Sequence, residues 1–111
     1  MKTDRELLEM AAKAAGVEVV RHVASLDGKQ WCVLKDEKQS FWNPLTDDGD
    51  ALRLAVALEI DVTFRVVGEM RVEALAPSGP RIVEGYDSFD GRLPATRRAI
   101  VRAAADIGRS M

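Results

Sequence analysis

Between Ile60 and Leu75 the chain alternates between apolar and polar residues. The even positions are apolar, and the odd positions are mostly polar or charged: Val62, Phe64, Val66, Met70, Val72 and Ala74 against Asp61, Thr63, Arg65, Arg71 and Glu73. A two-residue period is the repeat of a β-strand with one buried face, so the alternation predicts a sheet and excludes an all-helical fold. The apolar residues stay at even positions on both sides of Gly68. The segment is therefore either a hairpin with Val67-Gly68-Glu69 as its loop, which we favour, or one long strand bent at the glycine.

Two helices are predicted near the ends of the chain. Thr3 and Glu6 form a capping box, which predicts a helix over residues 4–15. Pro94 is tolerated as the first residue of a helix, because the N–H that proline lacks has no partner there. It predicts a helix that extends to about Gly108.

A third helix is predicted over residues 47–59, with Thr46 as its N-cap. Its first turn holds three aspartates, which favour the positive end of the helix dipole: Asp47, Asp48 and Asp50. Apolar residues cover most of its circumference. We therefore expect this helix to be buried, with mainly Arg53 and Glu59 in contact with water.

β-Branched and aromatic residues dominate the stretch after the first helix, which predicts strands over 17–25 and 30–35. Asp27-Gly28 between them is a signal for a two-residue hairpin loop. With that loop length, His22 and Cys32 would lie on opposite faces of the hairpin. A Cys-His dyad would then require an odd-length loop or a bulge.

Both faces of this hairpin are apolar, so we expect each to be covered by helices or by a loop. Residues 36–45 are predicted to be that loop, 82–86 an edge strand and 87–93 a further loop. The predicted fold is a single α+β domain over 1–111, with a mostly antiparallel sheet of four or five strands and three helices covering both of its faces.

Two helical segments resemble each other. Ala51-Leu52-Arg53-Leu54-Ala55-Val56 aligns with Ala95-Thr96-Arg97-Arg98-Ala99-Ile100, and each follows predicted strands and an Asp-Gly pair. The similarity arises either from a ββα unit used twice or from chance matching of alanine-rich helices.

Charge and composition exclude several classes of function. Sixteen basic and eighteen acidic residues give a formal charge of -2, which removes the overall attraction that most nucleic-acid and membrane-surface binders use. The one cysteine has no intramolecular disulfide partner, and the charged first residues do not form a secretion signal. We expect a cytoplasmic protein that does not bind membranes; its oligomeric state stays open.

Motifs that carry chemistry are missing. The sequence contains no Gly-rich phosphate loop, no metalloprotease helix motif and no nucleophile elbow. The aspartates near residue 48 have the wrong spacing for a calcium loop, because Arg53 occupies the position of the required glycine. We predict no catalytic residue, no metal and no cofactor.

Two groups of residues are candidate binding sites. Phe41, Trp42 and Asn43 lie in a predicted loop, where aromatic residues often anchor an interface, although Trp42-Asn43-Pro44 could instead close the core beneath the second helix. The other group is an arginine cluster at the start of the last helix, suited to phosphate or nucleic acid: Arg92, Arg97, Arg98 and Arg102.

The segment from Trp42 to Val56, together with 96–105 and the initial 3–9, resembles small proteins of tailed phages and proteobacterial prophages whose domain is a phage α-β-α sandwich. The Trp-Asn-Pro-Leu part is the most specific, and the stretch 70–92 matches least. The resemblance implies a fold and a phage setting, but no reaction or cofactor. The leading hypothesis is a non-enzymatic phage accessory module that acts on a host or phage macromolecule, with an unknown host or phage protein as the favoured partner. The alternative is a nucleic-acid or nucleotide-phosphate binder that uses the arginine cluster.

Overall fold

The computed structural model describes residues 3–65, 70–77 and 79–111. The described residues form three α-helices, six strands and one 3-10 turn. In chain order these are α1 (Asp4–Ala15), β1 (Val19–Ala24), β2 (Gln30–Leu34), β3 (Phe41–Trp42), α2 (Asp48–Leu58), β4 (Asp61–Arg65), β5 (Arg71–Leu75), β6 (Arg81–Gly85), the 3-10 turn (Phe89–Gly91) and α3 (Arg92–Arg109).

The predicted first and last helices are confirmed. The Thr3 side chain accepts a hydrogen bond from the Glu6 N–H at 3.2 Å, as the capping box requires. The last helix begins at Arg92, two residues earlier than predicted, and places Pro94 within its first turn. Proline is compatible with that position, since N–H groups of the first turn have no partner within the helix.

Two predictions for α2 are wrong. Its N-cap is Asp47, whose side chain accepts from the Asp50 N–H at 2.8 Å, whereas the buried Thr46 hydroxyl has no hydrogen-bond partner among the described residues. The helix is also not buried all round, because Leu52 and Val56 are 64% and 70% exposed. The other elements cover only one side of its apolar circumference.

The strands form two antiparallel sheets rather than one sheet of four or five strands. The first sheet has the order β1-β2-β3, and the second has the order β4-β5-β6. The alternating segment is a hairpin, with Val62 opposite Ala74 and Phe64 opposite Val72, and its loop lies outside the described residues. The predicted strand over 82–86 is confirmed as an edge strand, shifted by one residue.

Each sheet turns one face toward the helices. In the first sheet this face carries Cys32 and Trp42, and in the second it carries Val72 and Ala74; all four belong to the common core. The opposite face of each sheet has no helix against it among the described residues. The described chain is therefore α+β, with three helices and two three-stranded antiparallel sheets in place of one sheet of four or five strands.

The element order repeats within the chain. Three antiparallel strands followed by a helix occur first as β1-β2-β3-α2 and again as β4-β5-β6-α3. The structural unit is therefore larger than the ββα unit suggested by the sequence.

The helices α1 and α3 cross at very short distance. A Cβ atom added to Gly108 would lie 1.9 Å from the carbonyl oxygen of Met10. Small residues line both sides of this contact, Ala11 and Ala12 on α1 and Ala104 and Ala105 on α3, and all four are buried. Only glycine at position 108 permits this approach.

Candidate functional site

The turn between β1 and β2 determines what the first sheet exposes. The N–H of Ser25 donates to the carbonyl of Lys29 at 2.8 Å, so the loop has three residues, Leu26 to Gly28, and Gly28 adopts φ +84°. This is the three-residue hairpin loop with a left-handed last residue. The predicted two-residue loop is wrong, and every side-chain orientation derived from it changes.

With this register, apolar side chains collect on the outward side of the first sheet. We call the outward side chains Val23, Trp31, Val33 and Phe41 the aromatic face. Phe41 is exposed and Val23 and Trp31 are half-buried, whereas Val33 lies beneath its neighbours and is 1% exposed. The rings of Trp31 and Phe41 meet edge to face, with centroids 6.5 Å apart and planes at 70°. Phe41 is 62% exposed, and a shallow hollow of about 340 Å³ lies between the two rings and Val23.

The three residues predicted as a joint binding loop separate in the structure. Phe41 and Trp42 are consecutive in β3 and therefore point to opposite faces. Phe41 belongs to the aromatic face, whereas Trp42 is 7% exposed and packs in the core. Of the two interpretations of this loop, core closure describes Trp42, whereas the Phe41 side chain is exposed and a partner for it stays a prediction.

Asn43 is also a structural residue. Its Nδ2 donates to the carbonyl of Gln30, its Oδ1 accepts from the N–H of Leu45 at 2.8 Å, and its own N–H donates to the buried carboxylate of Asp50 at 2.9 Å. These bonds fix the end of β3 against β2 and α2. Asn43 holds Phe41 in place and is itself only 3% exposed.

Basic side chains surround the aromatic face. Lys29 pairs with Asp27 at 3.9 Å and Lys35 pairs with Glu18 at 3.8 Å, both in exposed positions. Arg21, which lies opposite Val33, has no carboxylate within ion-pair distance in the described part of the chain. The face is thus apolar at its centre with an uncompensated cation at its margin.

The inward side of the same sheet brings His22 and Cys32 together. They are direct cross-strand partners, with the Sγ atom 3.7 Å from Nδ1, and His22 Nε2 lies 3.5 Å from a carboxylate oxygen of Glu9. The predicted separation of the two residues is wrong because the loop has an odd length.

This Cys-His-Glu arrangement does not activate the thiol. The Cys32 side chain is fully buried, and burial, with a smaller contribution from Glu9, raises its pKa to about 11. A nucleophilic cysteine requires a lowered pKa and access to substrate. At pH 7 only about one molecule in ten thousand would carry the thiolate. The group therefore acts as a partly buried polar contact between α1 and the first sheet.

The predicted arginine cluster is divided among several carboxylates. Arg97 donates to the Leu45 carbonyl at 2.8 Å and pairs with Asp48 at 2.5 Å, while Arg98 lies 3.3 Å from Asp4. Arg102 pairs with Glu84, and the cavity of about 380 Å³ beside it is lined by acids as well as arginines. An anion at this position would compete with those carboxylates, and phosphate binding stays a prediction.

Arg92, the fourth member of the predicted cluster, is the first residue of α3. Its side chain has interactions of its own within the protein. The position of Arg92 therefore neither supports nor contradicts the prediction of a phosphate-binding site.

A second arginine group lies on the outward side of the second sheet. Arg65, Arg71 and Arg81 each place Nε within 3.3 Å of the carboxylate of Glu73. Burial alone would raise the pKa of Glu73, but these arginines outweigh it and hold the pKa below its usual value. Their alternate spacing in the strands was visible in the sequence, and the network explains how a carboxylate can be 5% exposed on a sheet face.

Two further classes of site find no support in residues 3–65, 70–77 and 79–111. No group of three or more His, Cys, Asp or Glu side chains there is arranged to hold a metal ion. None of the helices in these ranges combines the length and apolarity needed to cross a membrane.

The chain matches no protein-family model, no curated protein and no solved structure.

Proposed function

We propose that this protein is a non-enzymatic binding module that binds a partner protein on the aromatic face. The observation that carries the proposal is the edge-to-face pair formed by the half-buried Trp31 and the exposed Phe41 on a sheet face without a covering helix. Tryptophan, tyrosine and arginine dominate the binding energy of protein interfaces, and phenylalanine is enriched there. A contiguous apolar patch on a protein surface commonly marks such an interface.

The charges at the margin define the chemistry of the partner. Arg21 would pair with an acidic side chain, and the hollow between Val23 and the two rings would take an apolar one. A partner surface with an apolar anchor next to a carboxylate fits both features. Because buried charge pairs favour specificity, Arg21 would select among apolar surfaces.

The inward-facing groups support binding rather than catalysis. The one thiol is buried with a raised pKa, and its histidine neighbour is held between Cys32 and Glu9. The arginines of α3 at positions 97, 98 and 102 have carboxylates beside them, which makes nucleic acid the weaker alternative.

The resemblance to phage and prophage proteins supplies the setting of the proposal. In that setting the partner is a phage or host protein in the bacterial cytoplasm. The resemblance to a phage α-β-α sandwich rests on the segments quoted above.

The experiment is affinity purification of tagged protein from phage-infected bacterial cells at low and moderate salt. The wild type is compared with Phe41→Ser and Arg21→Glu, and Val83→Ser is the control because Val83 is 45% exposed on the other sheet. The expected result is a protein captured in stoichiometric amount by wild type and Val83→Ser, and lost with both face variants. Thermal melting of each variant checks that it remains folded.

Two outcomes would overturn the proposal. One is capture that is unchanged in folded Phe41→Ser and Arg21→Glu. The other is recovery of nucleic acid alone, lost as salt rises, which would favour the arginine cluster instead.

A further inference from the structure

The edge strand β4 differs from the other sheet edges of the protein. β1 has a register irregularity between Val19 and Arg21, and β3 is only two residues long. On β6 the Arg102 side chain donates to the carbonyl of Val83 at 3.4 Å and so covers an outward backbone group. Bulges, short strands and covering side chains are the usual protections of sheet edges. β4 has a uniform register over five residues and none of these protections.

The backbone groups that β4 offers can be assigned from the register. The N–H of Tyr86 donates to the carbonyl of Met70 at 3.1 Å, so Met70 faces β6. Because successive residues of a central strand bond to alternate sides, Glu73 then bonds toward β4, where it pairs with Thr63. The neighbouring residues Val62 and Phe64 therefore direct their N–H and C=O groups outward. In the described residues no other backbone group bonds to them.

An apolar groove runs beside this edge. It has a volume of about 240 Å³ and lies between β4 and the helices α2 and α3. Its main apolar side chains are half to two-thirds exposed: Leu52, Phe64 and Leu93, with Val56 one turn further along α2. An unpaired strand edge next to a groove beneath a helix is the geometry used for strand addition, in which the main chain provides affinity and alternate side chains provide specificity.

The charges at the two ends of the groove are unequal. At one end Asp48 is compensated by Arg97. Beyond the other end, where α2 leads into β4, Glu59 and Asp61 are exposed outside the groove lining, and neither has an ion-pair partner among the described residues. Asp61 alternates with Val62 and therefore lies at the edge on the outward side of the sheet. The last turn of α2 has no basic residue, so its dipole adds negative potential there. A basic residue on the bound segment would complement this end.

From these features we infer that β4 and the groove bind an extended segment of a partner protein as an additional antiparallel strand. The segment has apolar side chains at alternate positions, which enter the groove, and a Lys or Arg at its C-terminal end, next to Glu59 and Asp61. This surface, the edge groove, lies on the second sheet and is independent of the aromatic face. With both surfaces occupied, the protein would connect two partners.

The test is selection of a displayed library of random decapeptides on the intact protein, followed by Kd measurement of the enriched peptides by fluorescence anisotropy. The expected peptides alternate apolar residues and end in a basic residue. Phe64→Ser and Leu52→Ser are each expected to weaken binding at least tenfold. Val83→Ser, at an exposed position on the outward side of the same sheet, is the matched control and should leave the Kd unchanged. Two groove variants are used because, if thermal melting shows that one of them does not fold, the other still tests the groove.

Two peptide modifications test the register and the charge. N-methylation at the alternate amides that face β4 should abolish binding, whereas N-methylation at the intervening amides should not. Asp61→Lys should weaken a peptide ending in Lys and strengthen the same peptide ending in Glu.

The inference is overturned if no peptide is enriched, or if the enriched peptides bind Phe64→Ser and Leu52→Ser as tightly as the wild type. Strand addition would also be overturned if N-methylation at the two alternating sets of amides changed the Kd of the peptide equally. Failure of the aromatic face would appear differently, as unchanged capture of the cellular partner by Phe41→Ser.

Discussion

Replacing the neighbouring residues Phe41 and Trp42 separately by alanine would measure how β3 divides its side chains between core and surface. Trp42 is 7% exposed, and truncation of a buried tryptophan costs about 3 to 5 kcal/mol. Phe41 is 62% exposed, so only about a third of the full burial energy of a phenylalanine is present to be lost on truncation. With the loss of the ring contact with Trp31, Phe41→Ala should cost about 1 to 2 kcal/mol in total.

These energies convert into melting temperatures through the unfolding entropy. For 111 residues that entropy is about 0.23 kcal/mol per kelvin. Trp42→Ala should therefore lower the melting temperature by about 13 to 21 °C, and Phe41→Ala by about 4 to 9 °C. Circular dichroism melts and urea titrations of the same samples measure both quantities. Leu26→Ala, at a fully exposed position in the turn, serves as the control and should leave the melting temperature unchanged.

The ratio of the two effects is decisive. If Phe41→Ala destabilised the protein as much as Trp42→Ala, the register of the first sheet would be incorrect. The aromatic face would then be part of the core, and the proposed binding function would lose its basis.

Two further predictions concern packing and pH. Gly108→Ala should lower the free energy of unfolding by about 1 to 3 kcal/mol, because the new methyl group would overlap the Met10 carbonyl. Gly85→Ala is the control and should change stability little, because its Cβ would meet nothing closer than 3.9 Å. Equal urea midpoints for the two variants would contradict the close crossing of α1 and α3. The pKa of Cys32 is about 11 in the folded protein against an ordinary 9.0, so the unfolded chain loses the thiol proton first. The free energy of unfolding should thus be unaffected by this group below pH 9 and fall by about 2 to 3 kcal/mol as pH rises through 11. Cys32→Ala should not show this loss of stability at high pH. If the free energy of unfolding had the same pH dependence in Cys32→Ala and in the wild type, the raised pKa of Cys32 would be refuted.

The elements that the sequence predicts well are those defined by local signals. The capping box of α1 and the alternation of β4 and β5 involve neighbouring residues, and both are found as predicted. The caps of α2 show where such signals are insufficient. Thr46 and Asp47 are both acceptable N-caps, and in the structure the Asp47 side chain takes this role by accepting from the Asp50 N–H.

The features that the sequence does not predict depend on distant contacts. Asp27-Gly28 is compatible with loops of two or three residues, since a left-handed glycine occurs in both. The strand β3 is too short to show a period, which is why the second half of the first sheet was interpreted as a loop. The exposure of Leu52 depends on how much of α2 its neighbours cover, and no pattern within the helix contains that information.

The residues of the candidate site also divide into those that a local sequence pattern identifies and those that depend on distant contacts. Phe41 was identified because an aromatic residue in a polar segment is conspicuous. A tryptophan in an apolar strand is typical of a core residue. Alternation along β2 places Trp31 on the face opposite Cys32, but only distant contacts decide that the face of Cys32 is the one that joins the core. The edge groove has no counterpart in the sequence analysis, because its lining comes from three separate elements.

The three-residue turn at Leu26–Gly28 also bears on how this protein can change through evolution. Insertions and deletions in exposed turns are usually tolerated, since they leave the packed elements unaltered. Here the loss of one residue would shift the pairing of β1 with β2 by one position and exchange the two faces of the incoming strand. Natural variants of this turn should therefore change in sequence but keep its length, because a change of length would require the indole of Trp31 and the thiol of Cys32 to exchange environments.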